Sequence, residues 1–519
     1  MTTPTALRLL IVLYLCLGTL WAVAVPPFEK PDEIAHFSYL QLVATQFRIP
    51  RQATFDHPFI ENESQQPPLY YILVAVPYRI ALALGVPATD LTRWRLNPGY
   101  YARMPDGHGE IQYYAPDPEH MSREDRNTVP LDILLPRLIS LLMGAGVVWL
   151  TFRIAVLAAP GRKWLPLVAA AGVATLPQFT FVASTVTNDN LSFLWGAATL
   201  LACIRALRAP AARLARYGVW LGVIVGVGVY VKATMLTLVP LAVLALILPR
   251  SVEVENSSPG SPDPAAKRLL PTLAELADLA HVAQVANRAD RVPRIRAVLL
   301  MMLVALCIGA PWFARNVWLY RDLLGRQEVV DPSAYTWNID RKALWSPYFM
   351  PGGKFWMLLG WSLVGMFGAM DILMPRPFYV IWRAVLLAAV IGVPVGWLAR
   401  RRSGRQLAAW QAMGLLAAAL ALALIGLVRY NLTVTQPQGR YLFHIMPAMA
   451  VMMAVGLAGW LDVWRVDRAI RTADERLADR AAARRQAAAF AIGVLALAVV
   501  NVWALFGVLA PVYYIAASP

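Results

Sequence analysis

Residues 7–47 read LRLLIVLYLCLGTLWAVAVPPFEKPDEIAHFSYLQLVATQF. The apolar run that ends at Val25 is close to the ~20 residues with which a helix crosses the hydrocarbon core of a bilayer. We expect this run to be a retained signal anchor, because it is long and no A-x-A cleavage site precedes Pro26. Asp32 and Glu33 then lie just after the end of the first membrane helix, beside the bilayer, where charged side chains are costly unless they are paired or take part in chemistry.

The composition extends this interpretation to the whole chain. Of the 519 residues, 58% are hydrophobic and only 15% are charged, and the mean hydropathy is +0.52. Soluble proteins carry nearer ~25% charged residues. These values predict an all-α polytopic membrane protein and exclude a soluble globular domain.

The net charge of +16 follows membrane topology rather than nucleic-acid binding. Short cytoplasmic loops of membrane proteins are enriched in lysine and arginine. Anionic lipid headgroups are a sufficient partner for such loops, so we predict contact with the lipid bilayer and no nucleic-acid partner. The basic clusters that mark these loops are Arg162–Lys163, Arg205–Arg216, Arg400–Arg405 and Arg465–Arg485.

The apolar runs predict about eleven transmembrane helices, within a range of about 10 to 13. The N-terminus would be cytoplasmic and the C-terminus outside. Two further apolar stretches, 67–86 and 355–374, contain Arg79 and Asp371, which favours interfacial or re-entrant helices instead of spans. The predicted spans are 7–27, 136–158, 164–184, 190–207, 216–231, 233–249, 296–317, 378–399, 407–428, 442–464 and 487–511.

The loops between the spans suggest the organisation of the chain. Residues 1–464 would form the main transmembrane module, and residues 465–519 a charged cytoplasmic helix followed by the last span. The larger loops of the main module are an external segment at 28–135, a cytoplasmic loop at 250–295 with a short surface helix at about 269–289, and a second external segment at 318–377.

The first external segment contains the candidate catalytic residues Asp32, Glu33 and His36. A helix that starts after Pro31 and runs to about Phe47 would place Asp32 and His36, four residues apart, within contact distance. The alternative for Asp32 is a helix cap that accepts hydrogen bonds from free backbone amides. The alternative for His36 is a structural hydrogen bond.

Two polar motifs are candidate substrate-binding elements. Gln66 precedes paired prolines and then Tyr70 and Tyr71, so a helix should begin there; the alternative is that these tyrosines are only interfacial anchors. Asn188 and Asp189 precede the predicted fourth span, and either cap that span or face the same cavity as Asp32.

Four basic residues at the predicted external ends of spans depart from the positive-inside pattern. Because the arginine side chain offers a planar fork suited to phosphate oxygens, several of them converging on one acidic cavity would make a phosphate or pyrophosphate clamp. The alternative is that each one anchors a lipid headgroup. These residues are Arg440, Arg315, Lys232 and Arg137. Tyr441, which follows Arg440, is a further candidate substrate-binding residue.

These motifs occur in an order that resembles a known superfamily. PDEIAH follows the first span, QPPLYY comes next, Arg137-Leu138 opens the second span, RN-x-W begins at Arg315, and QGRY contains Arg440. The chain resembles the GT-C superfamily of membrane glycosyltransferases, which use polyprenyl-phosphate sugars as donors, over residues 7–464. Protein O-mannosyltransferases and aminoarabinose transferases are its more distant relatives.

The resemblance implies a GT-C-like bundle with external juxtamembrane helices and assigns roles to residues. The first-loop carboxylate acts there as general base or positions the acceptor, which implies Asp32 and then Glu33. A late basic residue holds the donor phosphate, which implies Arg440, then Arg315 and Lys232. No cofactor is required, although a divalent metal held by Asp32 or Asp189, with Glu33 or Asp371, is an alternative.

Two departures from the family pattern concern single positions. Gln66 stands where some relatives have histidine or lysine. The chain is most similar to a bacterial branch of the superfamily with the motifs PDEPAH, QPPLYY, RN-W and QGRYLFP, and His444 stands where the last of these motifs has proline.

The expected function is therefore transfer of a sugar, with inversion, from a polyprenyl-phosphate donor to an envelope glycan, glycolipid or protein. The expected location is the extracytoplasmic face of a bacterial inner membrane. Two alternatives stay open at this point: a flippase or transporter of lipid-linked glycans, and a glycan polymerase or ligase. Few charged residues within the spans and no visible inverted repeat weaken the transporter alternative.

Overall fold

A computed structural model describes residues 3–51, 59–60, 63–96, 113–114, 128–160, 162, 164–248, 291–325, 341–368, 370–400, 407–468 and 475–514. Within these ranges, nine helices are long and apolar enough to cross a membrane, and a bent helix pair raises the number to ten. The predicted all-α polytopic membrane fold is confirmed.

The helices and strands have the following bounds. The α-helices are α1 (Thr3–Ala24), α2 (Glu33–Gln46), α3 (Leu69–Ala83), α4 (Leu131–Ala158), α5 (Leu165–Ala174), α6 (Pro177–Ala183), α7 (Asp189–Leu207), α8 (Leu214–Val231), α9 (Val239–Ile247), α10 (Arg291–Tyr320), α11 (Lys354–Ser362), α12 (Arg376–Arg400), α13 (Leu407–Asn431), α14 (Met446–Arg468), α15 (Glu475–Trp503) and α16 (Ala510–Tyr514). Two antiparallel strand pairs join β1 (Arg95–Leu96) with β2 (Tyr113–Tyr114) and β3 (Met366–Phe367) with β4 (Ile372–Leu373). Single 3-10 segments occupy Leu91–Arg93, Ala211–Arg213, Ala233–Leu238 and Gly439–Ile445, and Ala504–Leu509 is a π-helical turn.

The predicted span 164–184 is broken in the middle. Helices α5 and α6 meet at an angle of 60°. Pro177 has no backbone N–H and disfavours the helical conformation of the residue before it, and Leu176 is extended at φ −70° and ψ 116°. The bend ends near Ser184, whose hydroxyl accepts a 2.8 Å hydrogen bond from Lys30 in the loop before α2.

The predicted span 233–249 is shorter than a full crossing. The 3-10 segment Ala233–Leu238 and helix α9 together reach only ~25 Å, below the ~30 Å of a hydrocarbon core. This short segment, together with the bent pair, accounts for the difference between the eleven predicted spans and the nine long helices.

Helices α8 and α10 pack side by side and run in the same direction, so the chain comes back to the starting end of α8 before α10 begins. A Cβ atom added at three glycines of α8 would lie 2.3 to 2.8 Å from atoms of α10, so the two backbones are in close contact, as small residues allow. The residue numbers of the contacting pairs increase together along both helices, so the two helices are parallel. Lys232 and Arg315 therefore lie at the same end of the bundle. The close pairs are Gly218 with Ala297, Gly222 with Met301 and Gly226 with Ile308.

The two stretches predicted as interfacial or re-entrant helices have different outcomes. Helix α3 has 15 residues and begins directly after Pro67 and Pro68, as predicted. The prediction for 355–374 is wrong in its second half, where a short hairpin follows the nine-residue α11. The backbone leaves the helical region there, because Gly368 and Met370 have positive φ angles of 61° and 76°.

Some sequence predictions fall partly or wholly outside the described residues. The surface helix predicted at about 269–289 lies outside them. Of the charged segment 465–486, residues 465–468 end α14, and residues 475–486 begin α15, which continues into the last apolar helix. The division into a main module and a C-terminal part stays a prediction.

Candidate active site

Asp32 occupies a constrained position at the start of α2. Its backbone is left-handed, at φ 58° and ψ 8°, a region that aspartate adopts more readily than most L-residues do. Its side chain makes no capping hydrogen bond, so the capping alternative is wrong. Its backbone carbonyl accepts the His36 N–H at 3.1 Å, and its carboxylate points elsewhere.

The carboxylate of Asp32 pairs with Arg440. The Arg440 Nη2 atom lies 2.5 Å from Asp32 Oδ2, while the Asp32 side chain remains 44% exposed and that of Arg440 only 7%. Burial raises the pKa of the Asp32 carboxyl, but the adjacent Arg440 guanidinium outweighs burial, and this pKa lies below its usual value. The structure therefore joins the predicted base and the predicted phosphate-binding arginine, 408 residues apart in sequence.

A second acidic residue extends this cluster. The Lys232 Nζ atom lies 2.5 Å from Asp189 Oδ1, and Arg440 Nη1 lies 3.6 Å from Asp189 Oδ2. Asn188 accepts from Lys232 at 3.3 Å and donates to Gln66 Oε1 at 2.9 Å. The predicted capping role of Asn188 is wrong, because its side chain makes no capping hydrogen bond to α7.

His36 lies on the inner side of this cluster and is fully hydrogen-bonded. Its Nδ1 atom is 2.6 Å from the Tyr71 hydroxyl, and its Nε2 atom is 3.1 Å from the Thr187 hydroxyl. Tyr71 also stacks on Tyr39 with ring centroids 3.7 Å apart. Burial lowers the pKa of His36 to about 3, so the imidazole is neutral at physiological pH.

The sequence prediction missed Glu63. Its Oε2 atom lies 3.9 Å from His36 Nε2 and has no hydrogen-bond partner among the described residues. Burial, helped by the Asp32 carboxylate, raises the pKa of Glu63 to about 8. The only local signal was its position three residues before Gln66, in a segment without helical or strand periodicity.

Glu33 and Arg137 lie away from the Asp32 cluster and pair with each other. Arg137 donates to Glu33 Oε1 at 2.8 Å and to Glu33 Oε2 at 2.5 Å, and neither side chain is exposed. Burial raises the pKa of Glu33, but Arg137 outweighs burial and lowers it. Neither side chain faces the Asp32 cluster, and the catalytic role of Glu33 and the phosphate-binding role of Arg137 stay predictions.

Arg137 instead holds the loop that carries Asp32. Its guanidinium donates to the backbone carbonyls of Ala22, Val25 and Pro26 at 2.7 to 3.0 Å. The other partner of Glu33 in this loop is the Phe28 N–H, at 3.2 Å. The buried pair therefore ties the end of α1 to the start of α2 and fixes the turn before Asp32.

The other predicted residues have separate surroundings. Arg315 donates to the Pro50 carbonyl at 3.0 Å and lies over the Trp312 ring, so within the described ranges its contacts are not to Asp32. Tyr70 is buried and bonds the Ser140 hydroxyl at 2.7 Å. Tyr441 faces the cluster, because Arg440 and Lys232 lie 5.4 and 5.9 Å from its ring centroid.

A divalent cation would find ligands at one point of the site. Single ligand atoms of Asp32, His36 and Glu63 all lie within 4.8 Å of one another. Two carboxylates and an imidazole suit such an ion, and the orphaned Glu63 oxygen fits this donor set. The predicted alternative ligand Asp189 is not in this group, because it pairs with Lys232.

Comparison with known proteins agrees with the resemblance that the motifs indicate. Residues 131–259 match the family model of dolichyl-phosphate-mannose-protein mannosyltransferases, and this segment contains Arg137, Asp189 and Lys232. The predicted resemblance to membrane glycosyltransferases is confirmed by this match. No curated protein sequence matches the chain.

The solved structures that are similar to the chain include two membrane proteins. One is ArnT from Cupriavidus metallidurans bound to undecaprenyl phosphate, with 15% identity, 98% coverage of this chain, 73% of that chain and a TM-score of 0.45. The other is the oligosaccharyltransferase of Archaeoglobus fulgidus in the apo form, with 12% identity, 96% coverage of this chain and a TM-score of 0.45. The chain covers 56% of that second protein.

Proposed function

We propose that this protein is a glycosyltransferase that moves a sugar from a polyprenyl-phosphate donor to an envelope glycan, glycolipid or protein. The observation that carries the proposal is the 2.5 Å contact between Asp32 and Arg440. It joins a carboxylate suited to take a proton with a guanidinium suited to bind a phosphate. The family match over residues 131–259 supports the same class of reaction.

The proposed reaction needs a base on one side of the sugar and a cation on the other. Asp32 takes the proton of an acceptor hydroxyl, whose oxygen attacks the anomeric carbon of the sugar. The bond between that carbon and the phosphate oxygen breaks, and the lipid phosphate leaves with the bonding electrons. Attack from the face opposite to the phosphate inverts the configuration at that carbon.

Arg440 and Lys232 stabilise the departing phosphate in this proposal. Preorganised cations of this kind lower the barrier because they need little reorganisation as charge develops. Before the donor binds, these two cations face two carboxylates, Asp32 and Asp189. A donor phosphate therefore competes with Asp32 for Arg440, and the release of Asp32 raises its pKa towards the ordinary value and makes it a better base.

The neighbouring polar groups then bind and orient the substrates. Gln66 and Asn188 form one hydrogen-bonded wall beside Lys232, and the neutral His36 is a hydrogen-bonding group behind Asp32. The proposal includes no required metal. If a divalent ion binds, Asp32, His36 and Glu63 are the residues that would hold it, and it would supply further charge stabilisation of the phosphate.

The proposed location is the extracytoplasmic face of a bacterial inner membrane, with the N-terminus in the cytoplasm. Asp32 follows the C-terminal end of α1. The N-terminal end of α7 and the C-terminal end of α8 meet at the Asp189–Lys232 pair. Arg205 and Arg216 lie at the opposite ends of these two helices, and so at the opposite end of the bundle. An excess of arginine marks the cytoplasmic side. This arrangement supports an active site on the outer side.

The test is sugar transfer by an Asp32→Asn variant in reconstituted vesicles. Asp90 is an exposed carboxylate outside the cluster, so Asp90→Asn is the matched control. We expect the Asp32 variant to lose about 10²–10⁴-fold in kcat, whereas the control retains wild-type activity. A folded Asp32→Asn protein that transfers sugar at the wild-type rate would contradict the proposal, as would movement of the lipid-linked sugar across the membrane without a new glycosidic bond.

A further inference from the structure

A cavity of about 410 Å³ opens between α7 and α8, at the end of the bundle opposite to Asp32. The Asp189 end of α7 and the Lys232 end of α8 meet in the candidate active site. Along α8, the cavity-lining residues from Arg216 to Ile224 lie ~12–24 Å from Lys232, at a rise of 1.5 Å per residue. The cavity is therefore separate from the active site.

The cavity is strongly basic. Arg205, Arg213 and Arg216 line it, and no carboxylate does. The sequence contains no acidic residue between Asp189 and Glu253. Within the described part of the chain, none of the three guanidinium groups has an ion pair or a hydrogen bond. All three side chains are exposed, so they can reach an anionic ligand that enters the cavity from solvent or from the lipid headgroups.

The rest of the cavity wall is apolar or aromatic. Tyr217 and Trp220 line it beside the arginines, and the Trp220 side chain is 55% exposed. Leu221 and Ile224 continue the wall along α8, towards the middle of the bundle. Tryptophan and tyrosine favour the depth of the lipid headgroups. A ligand that fills this cavity therefore has a charged head and an apolar tail.

The walls of the cavity are held in place by helix packing. Gly218 and Gly222 of α8 press against the backbone of α10. The chain after α7 is tied to α4 by a hydrogen bond from Arg208 to the Leu157 carbonyl. A site formed before the ligand arrives loses little ordering entropy on binding.

We propose that this cavity binds the phosphate headgroup of an anionic phospholipid from the bilayer leaflet opposite to the active site, with an acyl chain along Leu221 and Ile224. Arginine forks pair with two phosphate oxygens at once. A free phosphate shares this headgroup chemistry but leaves the apolar wall without a partner. The inference stands apart from the proposed sugar transfer, because it uses residues at the other end of the bundle.

The test is native mass spectrometry of the full chain in detergent, titrated with phosphatidylglycerol and, for comparison, with zwitterionic phosphatidylethanolamine. We expect one tightly bound phosphatidylglycerol. The double variant Arg213→Gln/Arg216→Gln should weaken its binding by about 10- to 30-fold. The control Arg8→Gln/Arg153→Gln removes two exposed arginines at the same end but outside the cavity and should leave binding unchanged.

Several outcomes would overturn the inference. They are equal binding of the two lipids, an equal loss of binding in the pocket and control variants, and retained binding in the pocket variant. Inorganic phosphate at ~10 mM that displaces phosphatidylglycerol from wild type would mean a free-phosphate site and would overturn the lipid assignment. The variant Arg213→Lys/Arg216→Lys keeps the charge and should recover part of the affinity, which separates loss of binding from loss of fold.

Discussion

Arg137 Nη2 lies 2.5 Å from Glu33 Oε2, and both side chains are sealed from solvent. The two residues are 104 positions apart in sequence. The same guanidinium binds the carbonyls of Ala22, Val25 and Pro26. The two neighbouring carboxylates therefore have different surroundings: Glu33 stabilises the turn before α2, and the partly exposed Asp32 pairs with Arg440 in the candidate active site.

Removal of Arg137 should destabilise the fold rather than alter chemistry alone. In Arg137→Met, Glu33 stays buried without its partner, which costs about 3–5 kcal/mol. We expect a large fall in the thermal unfolding temperature in detergent. Arg79→Met is the control, because Arg79 is exposed and bonds one backbone carbonyl, that of Ala44. Equal unfolding temperatures for the two variants would contradict a structural role for Arg137.

A paired variant separates structure from catalysis at Glu33. Glu33→Gln/Arg137→Gln removes both charges together, so it should recover part of the stability that Arg137→Met loses. We expect the folded fraction of this variant to transfer sugar at a measurable rate, because Asp32 is unchanged. Complete loss of sugar transfer in a well-folded double variant would indicate that Glu33 takes part in catalysis.

Replacement of Arg440 by lysine should impair chemistry although the charge is kept. Lysine cannot reproduce the planar fork that contacts both Asp32 and Asp189. We expect about 10²–10³-fold loss in kcat for Arg440→Lys. Arg429→Lys is a matched control, since Arg429 is exposed in the last turn of α13. Steady-state kinetics with saturating donor would show equal rates for the two variants if the role of Arg440 were only electrostatic at long range.

The pH dependence of transfer should change when the donor binds. In the free protein Arg440 holds the pKa of Asp32 below its usual value. A bound phosphate that takes Arg440 away removes this effect, so the pKa of Asp32 rises. The acid limb of the kcat profile, which reports the substrate complex, should therefore lie at higher pH than that of kcat/KM, which reports the free enzyme. Coincident acid limbs would mean that Arg440 stays on Asp32 throughout.

Glu63 should make the stability of the protein depend on pH. Its pKa is 4.5 before burial and about 8 in the folded protein. The folded state therefore keeps a proton that the unfolded state loses as pH rises from about 4.5 to 8, so stability falls across this window. Glu63→Gln removes this group, and its unfolding temperature should vary less with pH than that of wild type between pH 5 and 8. Parallel curves for the two proteins would show that Glu63 is not buried as a neutral acid.

Much of the fold was predictable because it depends on local properties. The length of an apolar run sets whether a helix can cross the membrane, and nine of the eleven predicted spans are long apolar helices, the exceptions being 164–184 and 233–249. Proline positions and periodicity also predicted two helix boundaries: the end of α2 beside Phe47 and the start of α3 after Pro68. The broken span at Pro177 carried a local signal as well, since proline inside an apolar run predicts a bend.

The candidate site was predictable only in part. The sequence singled out Asp32, Asp189, Lys232 and Arg440 as charges at the ends of apolar runs, and the structure brings these four together. It could not show that Arg137 is enclosed by backbone carbonyls, because those carbonyls come from a different helix end. Glu63 carried no pattern of its own, and its neighbourhood exists only after α2 and α3 have packed.

The sequence by itself determined that the chain is a multi-helix membrane protein and which ionisable residues lie at helix ends, because both follow from the spacing of apolar residues along one segment. Only the tertiary structure decided which charge meets which. The contacts of Arg440 with Asp32 and of Arg137 with Glu33 join residues 408 and 104 positions apart. Helix packing sets the distance, the burial and hence the protonation of each group, so two neighbouring carboxylates, Asp32 and Glu33, end with different roles.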